Sequence, residues 1–200
     1  MNKGLKTSLI VLAIIAIIAL PVIGGYNGLV ALEQNVNTAE SNIDTQLQRR
    51  SDLIPNLVNT VKGYASQEKD IFTNIANARS RLAGATNINE QASADTDLSN
   101  ALSRLLVVVE RYPDLKSNQI FRDLSIQLEG TENRIAIARQ DYNTAVTAYN
   151  NKRRKFPSNI TASIFGFKEK PLYKASEGAS QVPSVDFNTK WLVKIKDLKD

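Results

Sequence analysis

The 200-residue chain has no cysteine and no histidine. The first absence excludes disulfides, thiolate nucleophiles, iron–sulfur ligation and the lipid-modified cysteine of a lipoprotein. The second removes the commonest general base and the commonest transition-metal ligand together. An excess of one charge is missing too: of the 25 basic residues, the 23 that remain after Lys3 and Lys6 at the start nearly balance the 20 acidic ones. That balance argues against a nucleic-acid binder, although the calculated pI is 9.4. The helical segments carry no Glu-x-x-His spacing of a di-iron bundle, and the chain has no phosphate-cradling glycine loop and no Gly-x-Ser-x-Gly elbow. These absences leave an enzyme only carboxylates, lysines and tyrosines to work with.

What is present is a charge-free stretch from Thr7 to Leu32 that contains the unbroken apolar run Leu9–Leu20. A bilayer core takes roughly 20 mostly apolar residues, because a helix satisfies its own backbone where water cannot. The segment predicts a transmembrane anchor that tethers the protein to membrane lipid. A cleaved signal peptide shares the basic start and apolar core, and Val22-Ile23-Gly24 is a tolerable cleavage site. Retention is favoured because the apolar run continues past Pro21 and no Ala-x-Ala precedes a cut. Lys3 and Lys6 flank the span on one side, and the next basic residues are Arg49 and Arg50. The positive-inside bias then puts the N-terminus in the cytoplasm and the rest outside, in the periplasm or at the cell surface.

From Tyr26 to Ser158 apolar residues recur at steps of three and four. Leu29, Leu32, Val36, Ile43, Leu47, Ile54, Leu57 and Val61 define a long first helix, with Pro55 predicting a kink near Arg50–Ser51 and Gly63 a stop. Gly24-Gly25 and Asn27-Gly28 offer a hinge at its base. A second helix is expected over Ser66–Ala83 and a third over Asn89–Arg111, ended by Tyr112-Pro113. The fourth runs over Asn118–Arg154 with Ser117 as its N-cap. Four stripes with short connections bury best as an antiparallel four-helix bundle whose first and last helices are long. The expected organisation is a cytoplasmic start and anchor over 1–25, the bundle over 26–156, and an extended, irregular tail over 157–200. The tail ends in the amphipathic Lys190–Lys196, which suits either a lipid surface or a segment packed on the bundle.

Two places on this frame invite a functional reading. Stepping by sevens from Leu29 gives Val36, Ile43, Arg50 and Leu57, so a guanidinium falls on the apolar seam. Buried there it needs a carboxylate, and Glu132 on the fourth helix is the expected partner, with Asn133 and Asn143 as further polar groups. Arg50 either packs its stem and lets its head reach water, fixes register as one of a pair, or forms a buried polar switch or binding spot. Lys152-Arg153-Arg154-Lys155 offers a patch for anionic lipid or a partner, and equally complements the negative end of the helix dipole. Asp95-Thr96-Asp97 looks like the start of a calcium loop, but the glycine and glutamate that such a loop needs are replaced by Asn100 and Leu106.

Several ordered stretches together resemble the LemA family. They are Gln48-Arg49-Arg50-Ser51-Asp52-Leu53-Ile54-Pro55-Asn56-Leu57-Val58, then Arg111-Tyr112-Pro113-Asp114-Leu115-Lys116, then Leu128-Glu129-Gly130-Thr131-Glu132-Asn133-Arg134-Ile135-Ala136-Ile137-Ala138-Arg139 with Asp141-Tyr142-Asn143, and finally Phe165-Gly166-Phe167-Lys168 and Pro183-Ser184-Val185-Asp186-Phe187. The resemblance implies a membrane-anchored antiparallel four-helix bundle of the bacterial envelope. It implies no catalytic activity and no cofactor, and it suggests membrane metalloproteases or other envelope proteins as neighbours. Gly130 inside the fourth helix and the residues beyond Phe187 depart from the pattern. A strong anchor and a helical core without a catalytic constellation lead us to expect a non-enzymatic, single-pass scaffold that binds another envelope protein. The alternative is a ligand- or signal-sensing bundle.

Overall fold

A computed structural model describes residues 3–174. All described secondary structure is helical: α1 (Lys3–Lys62), α2 (Lys69–Ala83), α3 (Ile88–Val109), α4 (Pro113–Ser117), α5 (Gln119–Arg154) and α6 (Ser158–Phe165). The amphipathic segment Lys190–Lys196 and the Pro183–Phe187 motif lie outside the described residues.

Helix α1 is one uninterrupted 60-residue element, about 90 Å long at 1.5 Å per residue. Its N-terminal part is long and apolar enough to cross a membrane, and side chains such as Leu12, Ile17 and Leu20 are exposed there. The expected hinge at Gly24–Gly28 is absent, because the helix runs through it. Pro55 also sits within the helix. Its lost ladder bond is offset by packing on both sides of it, where Ile54 and Leu57 are buried.

Helices α1 and α5 lie antiparallel along their length, and α2 and α3 form a hairpin against their upper part. The hairpin turn is capped locally: Asn87 accepts from the Glu90 amide at 3.0 Å, while the Glu90 carboxylate accepts from the Thr86 amide at 2.9 Å. Two details differ from the sequence reading. Pro113 opens a short helix, α4, where a plain turn was expected; proline suits the first helical position, whose amide has no partner anyway. The N-cap of α5 is Asn118, which accepts from the Phe121 amide at 3.1 Å, whereas Ser117 closes α4 and donates to the Asp114 carbonyl at 3.0 Å.

The hairpin is shorter than the helices it covers. Its lower end reaches about the level of Asp44, which accepts from Gln91 at 2.6 Å. Below that level α1 and α5 are covered by the segment expected to be an irregular tail. That segment begins with α6, then leaves it through Gly166 in the left-handed conformation (φ 74°), a position glycine fills without steric cost. Residues 167–174 continue without regular structure along α5. The core is correspondingly divided. An upper cluster joins Ile54, Leu57, Val61, Ile75, Leu98, Leu105 and Leu115, and a lower one joins Leu29, Val36, Ile43, Ile135, Tyr142, Val146 and Tyr149.

Gly130 is in α5 with open space where a Cβ would point. Nothing in the packing requires glycine, so Gly130→Ala should stabilise the protein by about 0.5–1 kcal/mol through lower backbone entropy in the unfolded chain. A thermal melt of the full chain in detergent, followed by circular dichroism, should show a rise of about 1–4 °C; an unchanged or lower midpoint contradicts the reading.

Candidate functional site

Between the two apolar clusters lies a layer of charge. Arg50 falls between Leu47 of the lower cluster and Ile54 of the upper, on the seam of α1, and it is fully buried. Its Nη1 donates to Glu132 at 2.7 Å and to Ser99 at 3.2 Å. Its Nη2 donates to Asp95, which is also fully buried. The other oxygen of Asp95 accepts from Arg139 and, at 2.9 Å, from the Tyr173 hydroxyl. The Arg139 guanidinium lies 5.2 Å from the Tyr173 ring centroid, within cation–π range.

Two guanidinium groups and two carboxylates thus meet in one layer, so the buried charge is balanced. Desolvation still lowers the Arg50 pKa below its ordinary value, against the opposing charge and hydrogen bond of Glu132 and together with the repulsion of Arg139. The expected Arg50–Glu132 contact is present, but Glu132 is 45 % exposed and is not the buried partner. That partner is Asp95. The sequence signal for it was available: Asp95 sits midway between Ala92 and Leu98 on the apolar stripe of α3. Asp97 turns away to pair with Arg81 at 2.6 Å, and the Thr96 hydroxyl donates to the Ala92 carbonyl, so the three residues of the apparent calcium-loop start do not converge. Asn133 is exposed.

Tyr173 reaches the layer from a strap that follows α6. Residues 167–173 run antiparallel to α5 and are gripped by two Tyr-Asn pairs seven residues apart. Asn150 donates to the Lys170 carbonyl at 2.8 Å and accepts from the Lys170 amide at 3.1 Å. Asn143 does the same for Tyr173, at 3.0 and 2.8 Å. The Tyr149 hydroxyl donates to the Lys168 carbonyl and that of Tyr142 to the Pro171 carbonyl, both at 2.9 Å. The spacing has a simple origin: seven helical residues rise about 10.5 Å, close to the roughly 10 Å covered by three extended residues. Side-chain amides therefore supply the partners that an unpaired extended backbone lacks.

The basic cluster at the end of α5 is drawn into the same strap. Arg153 and Arg154 both donate to Glu169, at 2.9 and 2.6 Å, and Lys170 pairs with Glu33 of α1 at 3.1 Å. Lys152 packs beside Gly28, and Lys155 is exposed at the end of the helix.

A helical bundle whose N-terminal helix is a candidate membrane span, with a buried charge layer and a strap stitched to α5, defines the class: an all-α bundle module with a candidate N-terminal anchor. Residues 39–187 match the LemA family, and the chain belongs to it. It is 28% identical over 202 residues to magnetosome protein MamQ 2 of Paramagnetospirillum magneticum, covering 87% of this chain and 74% of that protein. It is 26% identical over 196 residues to magnetosome protein MamQ of Magnetospirillum gryphiswaldense, with 84% and 72% covered. Against the LemA protein of Metamycoplasma hominis the identity is 24% over 171 residues, with 84% and 75% covered.

Removing one member of a buried ion pair strands the other, which costs about 3–5 kcal/mol. Asp95→Ala should lower stability by that amount in chemical denaturation of the full chain. Combining Asp95→Leu with Arg50→Met should recover much of the loss, since Glu132 and Arg139 both reach water. A single Asp95→Ala that melts like the parent removes the layer from the list of structural determinants.

Burial raises the pKa of Tyr142 to about 12, with the charge of Glu40 adding to the effect. Burial also raises Tyr149 and Tyr173, the latter against the pull of Arg139 and Arg50. Tyrosine in an unfolded chain ionises near pH 10. Below about pH 10 both states hold these protons and stability is full; above it the unfolded state loses them first, so stability falls as pH rises toward about 12. Tyrosinate absorbance from these three residues should appear only together with loss of helical signal. Ionisation near pH 10 with the helices intact contradicts the burial argument.

Proposed function

We propose that the protein is a non-enzymatic, single-pass scaffold of the bacterial envelope that holds a rigid bundle at a set height above the membrane for another envelope protein to bind. The observation that carries this reading is the continuity of α1. One helix is both the candidate membrane span and the spine of the bundle core, so nothing between them can flex like a linker. The N-terminus lies in the cytoplasm and the bundle outside, as the placement of Lys3 and Lys6 favours.

The docking surface is the cleft of about 450 Å³ between α3 and α5, lined by Leu102, Leu106 and Leu128 with Ser99, Ser103 and Ser125 and by the carboxylates of Glu129 and Glu132. Leucines interspersed with small hydroxyl residues suit the apolar face of a partner helix. The exposed Val107 extends that surface on α3. Similarity to magnetosome proteins and to a mycoplasma protein favours a general presenting device over one restricted to a single organelle. For the sensing alternative, both terminal nitrogens of Arg50 are already engaged by Asp95, Ser99 and Glu132, which favours the scaffold.

The test uses the full chain in intact cells. A photo-crosslinking residue at Leu106 should capture one defined membrane or envelope protein, and Val107→Glu, at an exposed position, should abolish capture while the melting temperature stays within a few degrees. A cysteine placed at Ile120, in a chain that has none, should react with a membrane-impermeant maleimide from outside. Capture of nothing, combined with a metabolite that raises the melting temperature, transfers support to the sensing module; protection of position 120 reverses the orientation.

A further inference from the structure

Helix α6 is inside-out for a helix on a water-bathed bundle. Its buried face is made of Ser158, Thr161 and Ala162, whereas Ile160, Ile164 and Phe165 point outward and Phe156 just before it is 80% exposed. Ile160 and Ile164 are one turn apart and share a face of α6, and Phe156 stands exposed in the turn that leads into it. A helix packed on a soluble core normally turns its apolar stripe inward. The stretch from Phe156 to Phe167 also contains no charged residue, and it is bracketed by Lys152-Arg153-Arg154-Lys155 and by Lys168.

The position of α6 says what covers that stripe. Thr161 lies against Gly25, so close that a Cβ there would sit 2.9 Å from its hydroxyl oxygen; glycine is what lets the two helices touch. The Phe165 and Phe167 rings flank Tyr26, with centroids 4.8 and 5.7 Å away. A hydrocarbon core takes roughly 20 residues of α1, and that many residues from Thr7, just past the flanking Lys6, end at Tyr26. Gly25 and Tyr26 therefore lie at the edge of the lipid, and α6 sits at their level. The exposed Leu20 and Ile23 just below belong to the candidate span, so the greasy surface of α6 continues that of α1. Lys155 at the adjacent end of α5 matches anionic headgroups, and aromatic rings at this depth are the usual furniture of a membrane interface.

We propose that α6 is a second membrane contact, an interfacial foot whose Phe156–Ile160–Ile164–Phe165 surface beds into the bilayer boundary beside the span. The inference rests on the anchoring of α1 proposed above. A single spanning helix leaves the bundle free to tilt and roll. Two contacts on different elements fix both, and with them the direction in which the α3–α5 cleft faces. The strap leads from this foot directly to the charge layer, ending with Tyr173 on Asp95.

Single cysteines at Ile160, Ile164, Ile137 and Ile15, each spin-labelled, test this in the full chain reconstituted in nanodiscs of phosphatidylethanolamine and phosphatidylglycerol. Collision with oxygen reports lipid, and collision with a water-soluble nickel chelate reports water. Labels at 160 and 164 should prefer oxygen, at a shallower depth than the label at 15, while the label at 137 on the shaft of α5 prefers nickel. If 160 and 164 behave like 137 while 15 still reads lipid, the foot is refuted and the anchor stands. If 15 also reads water, the anchor fails and the foot with it. Shielding of 160 and 164 from both reagents means that protein covers α6, whether a second copy, residues 175–200 or another chain, and overturns the proposal. Helical circular dichroism equal to the parent in all four variants secures each outcome against misfolding.

Discussion

The fold depends on where one guanidinium goes. Arg50 occupies an apolar position on the buried face of α1, and a charge there is tolerable only if it is neutralised inside the protein. Asp95 does this and is itself shared with Arg139 and Tyr173, so a single carboxylate draws α1, α3, α5 and the strap to one level. Sliding any of these elements by a heptad would set a charge against leucine. Apolar layers tolerate such slips at modest cost, whereas this one does not, and the two apolar cores above and below are held in register by it.

That layer also marks a change in construction. Above it four helices pack around a common core. Below it α2 and α3 reach only to about the level of Asp44, and the flank of α1 and α5 beyond them is closed by α6 and by an extended strap. An extended chain brings unpaired amides and carbonyls, and water cannot satisfy all of them against a packed surface. Asn143 and Asn150 resolve this by presenting both a donor and an acceptor to the strap, as a neighbouring strand would. Helix rise and extended-chain rise match over one seven-residue interval, so the same Tyr-Asn pair serves twice.

The continuity of α1 gives these features a common frame. A span joined to a bundle through a flexible linker would transmit neither height nor direction. A single helix through Gly24–Gly28 transmits height, the second contact proposed for α6 would add direction, and α6, the strap and the charge layer follow one another up its side. In the function proposed for this LemA family protein, that arrangement presents a surface at a set height above the membrane.

Much of this was legible in the residues. The apolar run of α1, the seam that carries Arg50, the four stripes and the need for a carboxylate all follow from local periodicity and from the cost of burying charge. The partner of Arg50 did not follow in full. Glu132 makes the contact but remains half in water, and Asp95 makes the buried one from a helix 45 residues away. The strap was the larger gap, because an extended segment has no period of its own; its order comes from side chains of α5 whose spacing acquires meaning only once the chain has turned back at Gly166. The outward stripe of α6 was hidden for the same reason, since eight residues carry too little pattern to say which face meets protein. Sequence alone therefore determined the helices, the candidate span and the presence of a buried charge, all of them properties of short stretches and their solvation. Tertiary structure alone decided which carboxylate neutralises that charge and what covers the lower half of the bundle, because both depend on residues that are distant along the chain and adjacent only in space.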